Sequence, residues 1–201
     1  MNLTTRFTVT ALGLLILACA RSGAAPTTAP AAVDAVDFTT TQVPSDYKAF
    51  ASAGLGYQVK HPANWTTGSK GQTDLYHGPD DSPTFRANIG VKCLTRRGAE
   101  ADLTLAQVAD ISVAAVAKVL QDPQRHVMSP AKHAAGDAYV MIYSGKVEMS
   151  GSVYSLKWAQ LLISRGEKVW LLTLTTEAPT FDRYWKEIQP LFASFSVEAG
   201  K

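Results

Sequence analysis

The sequence predicts an α+β fold in which an antiparallel sheet is flanked by helices on both faces, that is, an α-β-α sandwich. Segments in which apolar and polar residues alternate are separated by short turns, and such turns require antiparallel neighbours. Two segments repeat their apolar residues at helical spacing, one between the strands and one near the end. The strands of the second half are apolar on both faces at their centres, which indicates a cover on each face of the sheet.

Four strands are expected before the first helix. Residues 56–61 alternate apolar and polar side chains and stop at a proline, a pattern typical of a strand that ends in a turn. Shorter strands are predicted at 65–69 and 74–77, and a turn-rich loop follows them. Residues 85–94 alternate with a clear period of two, so we expect Cys93 on the apolar face of this strand as a buried, reduced thiol.

Both predicted helices are recognisable from their ends as well as from their spacing. The first covers residues 105–121, where Thr104 and Gln107 form a capping box and Pro123 prevents continuation. In the second, Pro190 lies inside the helical pattern and predicts a kink or the start of a second short turn. The apolar stripe of this terminal helix comprises Phe181, Trp185, Ile188, Leu191, Phe192 and Phe195.

Three long strands lie between the helices, at residues 138–148, 153–164 and 169–176. The first two are joined by a turn centred on Gly151, and the next two by a turn that contains Gly166. Their centres are apolar on both faces, so the terminal helix is expected to supply one of the covers.

The first 18 residues have the form of a secretory signal. Arg6 precedes an apolar core of about a dozen residues, whereas a membrane-spanning helix needs roughly 20. Residues 16–19, Ile-Leu-Ala-Cys, resemble the lipobox of bacterial lipoproteins, which implies that Cys19 becomes the new N-terminus and carries a lipid such as palmitate. Ordinary signal-peptidase cleavage is the alternative, because Ala18-Cys19-Ala20 is also a small-x-small site.

The rest of the chain divides into a tether and one folded domain. Residues 19–44 are rich in Ala, Pro and Thr and are predicted to be disordered, because they bury too little apolar surface to offset their ordering entropy. Residues 45–201 have the size of a single domain. The expected location is the cell envelope, with the domain lipid-anchored to a membrane and facing the periplasm or the exterior.

Composition and motifs exclude several classes of function. With 19 basic and 17 acidic residues, the chain has too even a charge balance to indicate nucleic-acid binding. No H-x-x-x-H or C-x-x-C spacing occurs, so no metal, cofactor or catalytic residue is predicted. His61, His77, Asp80 and Asp81 lie on loops that could meet, but solvated turn residues are the preferred interpretation. The apolar setting of Cys93 argues against a nucleophile.

The order of short motifs resembles the PsbP-like family. The stretch GYQVKHPANW at residues 56–65 is similar to the family's opening strand and turn. After it come FRANIGVKC, the helix opened by TLAQVAD, the paired strands that begin near Gly136, and a terminal helix that ends at Phe195. The resemblance covers residues 46–198 and implies the same α-β-α sandwich. Members of this family whose role is understood act by docking on other proteins.

These observations favour a membrane-tethered, non-catalytic docking module whose partner is an unknown envelope protein. The loops at residues 66–84 and 146–152 are the expected docking surfaces, because connecting loops vary at little structural cost. Two alternatives stay open at this point. One is a carrier of a small apolar ligand held between the sheet and the terminal helix. The other is a metal-binding or hydrolytic protein that uses the loops at residues 61–81.

Overall fold

Eleven strands and two α-helices make up residues 36–197, the part of the chain that this computed structural model describes. The fold is of the mixed α+β class and consists mainly of sheet, as predicted. The elements are β1 (Val36–Asp37), β2 (Lys48–Ser52), β3 (Tyr57–His61), β4 (Thr66–Lys70), β5 (Thr73–His77), β6 (Asn88–Thr95), α1 (Leu105–Ala117), β7 (Gln121–Lys132), β8 (Asp137–Met149), β9 (Ser152–Arg165), β10 (Lys168–Glu177), α2 (Phe181–Ser194) and β11 (Ser196–Val197).

The strands form two sheets. The main sheet has eight strands in the order β1-β7-β8-β9-β10-β6-β5-β4, and the small sheet has the order β11-β3-β2. All pairings are antiparallel except that of β1 with β7, which is parallel. The antiparallel prediction is therefore confirmed for every strand that it named.

Strand β7 was not predicted from the sequence. It contains Pro123 and Pro130, and its first six residues are exposed, so its pattern is that of a loop. The structure accommodates these residues because only the last two positions of β7 pair with β1, which leaves most of its outer side outside the ladder. Two register shifts against β8 and a positive φ of 51° at Asp122 bend the strand locally.

Both helices form close to their predicted positions. The capping box is confirmed, since the Thr104 hydroxyl accepts from the Gln107 amide and the Gln107 side chain accepts from the Thr104 amide. Helix α1 ends at Ala117. The prediction extended it to residue 121, but that residue is the first of β7. Helix α2 continues through Pro190 to Ser194, so the terminal segment is one helix without a separate second turn.

The last residues of the segment predicted as a disordered tether are ordered on the domain. Val36 and Asp37 pair with Ala131 and Lys132 of β7. Phe38 is buried and packs its ring against Phe192 of α2. A buried aromatic side chain thus holds residues before position 45 on the domain.

Successive residues of the long strands belong to two different buried clusters. The first cluster takes Val140, Leu161 and Leu172 from the main sheet, together with the buried residues of α2 and of β3. The second takes Met141, Leu162 and the buried residues of α1. This division explains why the strand centres are apolar on both faces. Within the described residues, no helix has both the length and the apolar character needed to cross a membrane.

Candidate functional site

The hairpin of β8 and β9 extends beyond its neighbours in the main sheet. Pairing of β7 with β8 starts at Lys146, and pairing of β10 with β9 stops at Leu156. Among the described residues, positions 147–155 therefore pair only within the hairpin of β8 and β9. We call this projecting segment the finger. It is the structural form of the loop at residues 146–152 that the sequence marked as a docking surface.

A tight two-residue turn closes the finger. Ser150 and Gly151 have φ values of 51° and 77°, and Met149 pairs with Ser152 on either side of them. Two successive positive φ values are typical of a type I′ turn, whose twist matches that of an antiparallel hairpin. The turn lets the two strands stay paired to their tip.

The finger carries four large apolar side chains. Val147, Met149 and Tyr154 lie on one face and are only partly buried against the second cluster. On the other face the side chain of Val153 is 58% exposed. Glu148 is the one charged residue between positions 147 and 155. An apolar, projecting surface of this kind is typical of contact with another molecule.

The structure does not bring the candidate residues of the 61–81 loops together as a metal or catalytic site. His61 is buried in β3, and its Nδ1 lies 2.9 Å from the carbonyl oxygen of Pro62. Burial is the main cause that lowers the pKa of both His61 and His77. Asp80 is exposed in the loop after β5. Within residues 36–197, no three His, Cys, Asp or Glu side chains converge as ligands.

Asp81 has a structural role. Its Oδ1 accepts a hydrogen bond of 2.6 Å from the Tyr184 hydroxyl, and its Oδ2 accepts one of 2.7 Å from Arg183 of the same helix. The bond from Tyr184 is the largest cause that lowers the pKa of the Asp81 carboxyl, and Arg183 adds to it. The carboxylate is thus ionised and ties the loop to α2.

Two hydroxyl groups strengthen the same attachment. Ser82 and Thr84 donate to the two carboxylate oxygens of Glu177, at 2.8 and 2.6 Å. The loop that was a candidate for chemistry or docking is therefore held against the domain by four side-chain hydrogen bonds from residues 81–84 to β10 and α2.

A cleft at one end of the main sheet was not anticipated from the sequence. Its volume is about 530 Å³. Asp74 of β5, Cys93 of β6 and Lys168 of β10 form its floor, and the turn between β2 and β3 at Gly54 and Leu55 forms the opposite wall. We call it the end cleft.

Two fully buried tyrosines hold the Asp74 carboxylate in the end cleft. The Tyr57 hydroxyl donates to Oδ2 of Asp74 over 2.9 Å, and the Tyr76 hydroxyl lies 3.0 Å from that of Tyr57. Because the Tyr57 proton goes to the carboxylate, the Tyr76 hydroxyl is the donor to Tyr57. Burial is the main cause that raises the pKa of both tyrosines, so both remain protonated donors at neutral pH.

Cys93 is less buried than predicted. Its thiol is free and packs against the first cluster, but it is only partly buried because it also lines the end cleft. Burial raises the pKa of the thiol, while the nearby charge of Lys168 acts in the opposite direction. The thiol is therefore mainly protonated at neutral pH.

The apolar space between the main sheet and α2 is filled by side chains. Phe181, Ile188, Leu191 and Phe192 are at most 2% exposed and belong to the first cluster. A wider, open cavity of about 680 Å³ lies elsewhere, beside the start of α1 and the loop between β7 and β8. The carrier hypothesis placed its ligand under α2, where these side chains are packed. Cys19, the predicted lipid attachment site, lies outside the described residues.

Comparison with known proteins identifies the fold. No protein-family model matches the chain, and no curated protein matches its sequence. The solution structure of cyanobacterial PsbP (CyanoP) from Synechocystis has a TM-score of 0.52 and 14% identity, over 77% of this chain and 94% of that one. Crystalline LpqN, involved in cell envelope biogenesis of Mycobacterium tuberculosis, has a TM-score of 0.50 and 15% identity, over 75% and 90%.

A crystal structure from Bacteroides thetaiotaomicron is similar at a TM-score of 0.50 and 13% identity, and the chain spans about half, 49%, of that protein. At such identities the likeness concerns the fold alone. The chain has a PsbP-like fold, as the order of its motifs indicated.

Proposed function

We propose that this PsbP-like chain is a non-catalytic docking module of the bacterial cell envelope, which binds a protein partner through the finger. The observation that carries the proposal is the projection of residues 147–155 beyond both neighbouring strands, with apolar side chains on each face. The apolar side chains of the finger are only partly buried by the domain, so burial of the rest of their surface against a partner would stabilise it.

The partner that fits the finger is a protein with an apolar groove. The finger is two strands wide, and Glu148 supplies its one charge, so association would depend on apolar burial rather than on charge steering. A second copy of the chain or a lipid surface is a different occupant, and each is an outcome of the experiment below.

Hydrogen bonding of the titratable loop residues supports a non-catalytic role. Catalysis by proton transfer needs an acid and a base within reach of a substrate. Asp81 instead binds Tyr184 and Arg183, and His61 binds the backbone at Pro62. These side chains are used to hold loops on the domain.

The envelope location rests on the signal at residues 1–18 and on the lipid expected at Cys19. LpqN, which shares the fold, is described as involved in cell envelope biogenesis, and we carry that setting to this chain as part of the proposal. The domain would face the periplasm or the exterior on its lipid anchor.

We also infer that the two helices cover opposite faces of the main sheet, as in the predicted sandwich. Membership of α1 and α2 in different buried clusters supports this arrangement. The small sheet would lie on the same face of the main sheet as α2, since Tyr57 and Val59 of β3 belong to the same cluster as the buried residues of α2. Such layers would make a rigid base from which the finger projects.

Substitution of an exposed valine on the finger tests whether the finger binds the partner, and substitution of an equally exposed valine elsewhere is the control. Val153 on the finger and Val119 after α1 are 58% and 59% exposed. We expect Val153→Asp and Met149→Asp to reduce recovery of one reproducible, crosslinked envelope protein about tenfold, whereas Val119→Asp leaves it unchanged. The changes at the two exposed valines, Val153→Asp and Val119→Asp, should each alter the free energy of unfolding by no more than about 0.5 kcal/mol.

The decisive measurement is direct binding of that purified protein to the full-length chain in detergent. Equal binding by the wild type and by Val153→Asp would overturn the proposal. Self-association of the wild type that Val153→Asp abolishes would replace the protein partner by a second copy, and binding to protein-free vesicles that Met149→Asp abolishes would replace it by lipid.

A further inference from the structure

The end cleft presents opposite charges on one face of three adjacent strands. Asp74 lies two residues before Tyr76, Cys93 two after Val91, and Lys168 two before Trp170. All three neighbours belong to the first cluster, so alternation places Asp74, Cys93 and Lys168 on that same face. The turn between β2 and β3 closes the cleft from the small sheet.

No ion pair of the described residues neutralises either charge in the cleft, and the Lys168 ammonium lies 6.0 Å from the centre of the Trp170 ring. Asp74 receives a hydrogen bond from Tyr57 at one oxygen, and a carboxylate has further acceptor positions. Since Tyr57 and Tyr76 are fully buried, this hydrogen bond holds the carboxylate in a fixed orientation.

Strand register gives the separation of the two charged residues. Asp74 pairs with Val91 and Lys168 with Thr95, so they are four positions apart along β6, or about 13 Å. They also lie on either side of β6, about 10 Å apart across the sheet. Together these components put the two Cα atoms about 16 Å apart, and both side chains line the cleft between them. An extended tripeptide measures about 10 Å from end to end.

We propose that the end cleft binds a short zwitterionic peptide of about three residues, with its ammonium group on Asp74 and its terminal carboxylate on Lys168. The proposal is independent of docking through the finger. Cys93 lies between the two charged residues as a neutral part of the floor, because burial raises the pKa of its thiol. Binding forms no covalent bond and needs no cofactor.

Titration of the full-length chain in detergent with trialanine tests the cleft. We expect saturable binding by calorimetry, weakened about tenfold by Asp74→Asn and by Lys168→Gln, because each loses one charged contact. Exposed residues of the same types supply the controls: Asp102→Asn and Lys118→Gln should bind like the wild type. An asparagine oxygen can still accept from Tyr57, so Asp74→Asn keeps the buried hydrogen bond.

A blocked peptide gives the same test without any substitution. N-acetyl-trialanine amide lacks both charges and should bind the wild type at least about tenfold more weakly than trialanine. Bound trialanine should also slow alkylation of Cys93, followed at its own peptide by mass spectrometry. Absence of saturation at millimolar trialanine, equal affinity for the blocked peptide, or unchanged affinity in both Asp74→Asn and Lys168→Gln would each overturn the proposal.

Discussion

Asp81 joins the loop after β5 to α2 through both of its carboxylate oxygens. Asp81→Ala would leave the hydroxyl of the buried Tyr184 without its acceptor, so we expect a loss of about 1–3 kcal/mol in the free energy of unfolding, measured by urea denaturation. Tyr184→Phe removes the same bond from the other side. The two changes together should therefore cost less than their sum.

The pKa of Asp81 sets the direction of its pH dependence. Because its folded pKa is lowered, its contribution is present above the ordinary value of 3.8 and is lost as the pH falls through the folded pKa. If the loss of unfolding free energy in the Asp81→Ala, Tyr184→Phe double variant equalled the sum of the two single losses, the stabilising role of the Asp81–Tyr184 hydrogen bond would be contradicted.

Two hydrogen bonds fix the tautomer of the His133 ring. Its Nδ1 accepts from the Ala135 amide over 3.0 Å, so its Nε2 carries the proton and donates to the Phe192 carbonyl over 2.9 Å. Burial lowers the pKa of the ring from its ordinary value of 6.5. The unfolded chain then binds a proton more readily than the folded one, and stability falls as the pH drops from about 6.5 through the folded pKa.

Urea denaturation at pH 7.5 and at pH 5.5 measures this effect. The wild type should lose stability at the lower pH, and His133→Asn should lose less because one linked group is gone. The pKa values of His61, His77 and His126 are lowered in the same direction, so part of the pH dependence should persist. An identical pH dependence in His133→Asn and the wild type would show that this ring does not contribute.

Helix α2 buries a face slightly different from the one expected. The sequence placed Trp185 in the buried stripe, but Trp185 is only partly buried, whereas Tyr184 is 3% exposed. The aromatic side chain of Tyr184 turns towards Trp65, and its hydroxyl reaches Asp81. A tyrosine can be buried when its hydroxyl finds a partner in the domain, so the helical spacing of apolar residues alone does not identify it.

Phe192→Ala should destabilise the domain more than Trp185→Ala. Phe192 is fully buried, so its truncation is expected to cost about 3–5 kcal/mol, and the partly exposed Trp185 should cost less. The midpoint and slope of urea denaturation, followed by far-ultraviolet circular dichroism, measure both. If Trp185→Ala proved the more damaging change, the orientation of α2 on the first cluster would be wrong.

Strand β7 and the finger show how an element depends on its neighbours. The polar and proline-containing sequence of β7 becomes a strand because β8 pairs with it along one side, with two register shifts. The finger is conspicuous only because β7 and β10 end before β8 and β9 do. The strand conformation of β7 and the projection of the finger are therefore not encoded in those segments alone, since both depend on how separate strands are aligned.

On the scale of the whole molecule, the two proposed binding surfaces lie far apart. The end cleft contains Lys168, which pairs with Arg165 at one end of β9, whereas the finger starts beyond Leu156 at the other. Nine residues of extended strand separate these positions, roughly 30 Å. A small ligand and a protein partner could therefore be bound at the same time without competing.

A lipid at Cys19 would place both surfaces near a membrane. Cys19→Ala should abolish labelling by a fatty-acid analogue and move the protein from the membrane fraction to the supernatant, since one thiol is the expected site of acylation. The matched control is Cys93→Ala, which should keep label and location. A mature N-terminus downstream of Cys19, without a lipid mass, would contradict the lipoprotein hypothesis.

The sequence by itself determined the features that depend on neighbours within a few positions. These are the capping box at Thr104, the alternation of β3 and β6, the two tight turns of the long strands, and through their order the PsbP-like fold. Each follows from contacts between residues two to four apart, where periodicity and turn chemistry act directly.

Only the tertiary structure decided which distant residues meet. It joined Asp81 to Tyr184, brought Asp74 and Lys168 to one cleft on either side of β6, and placed Phe38 on α2. These contacts depend on strand register and on the packing of elements far apart in the chain. A shift of one residue turns every side chain of a strand to the opposite face, so local alternation cannot specify a site built from several strands.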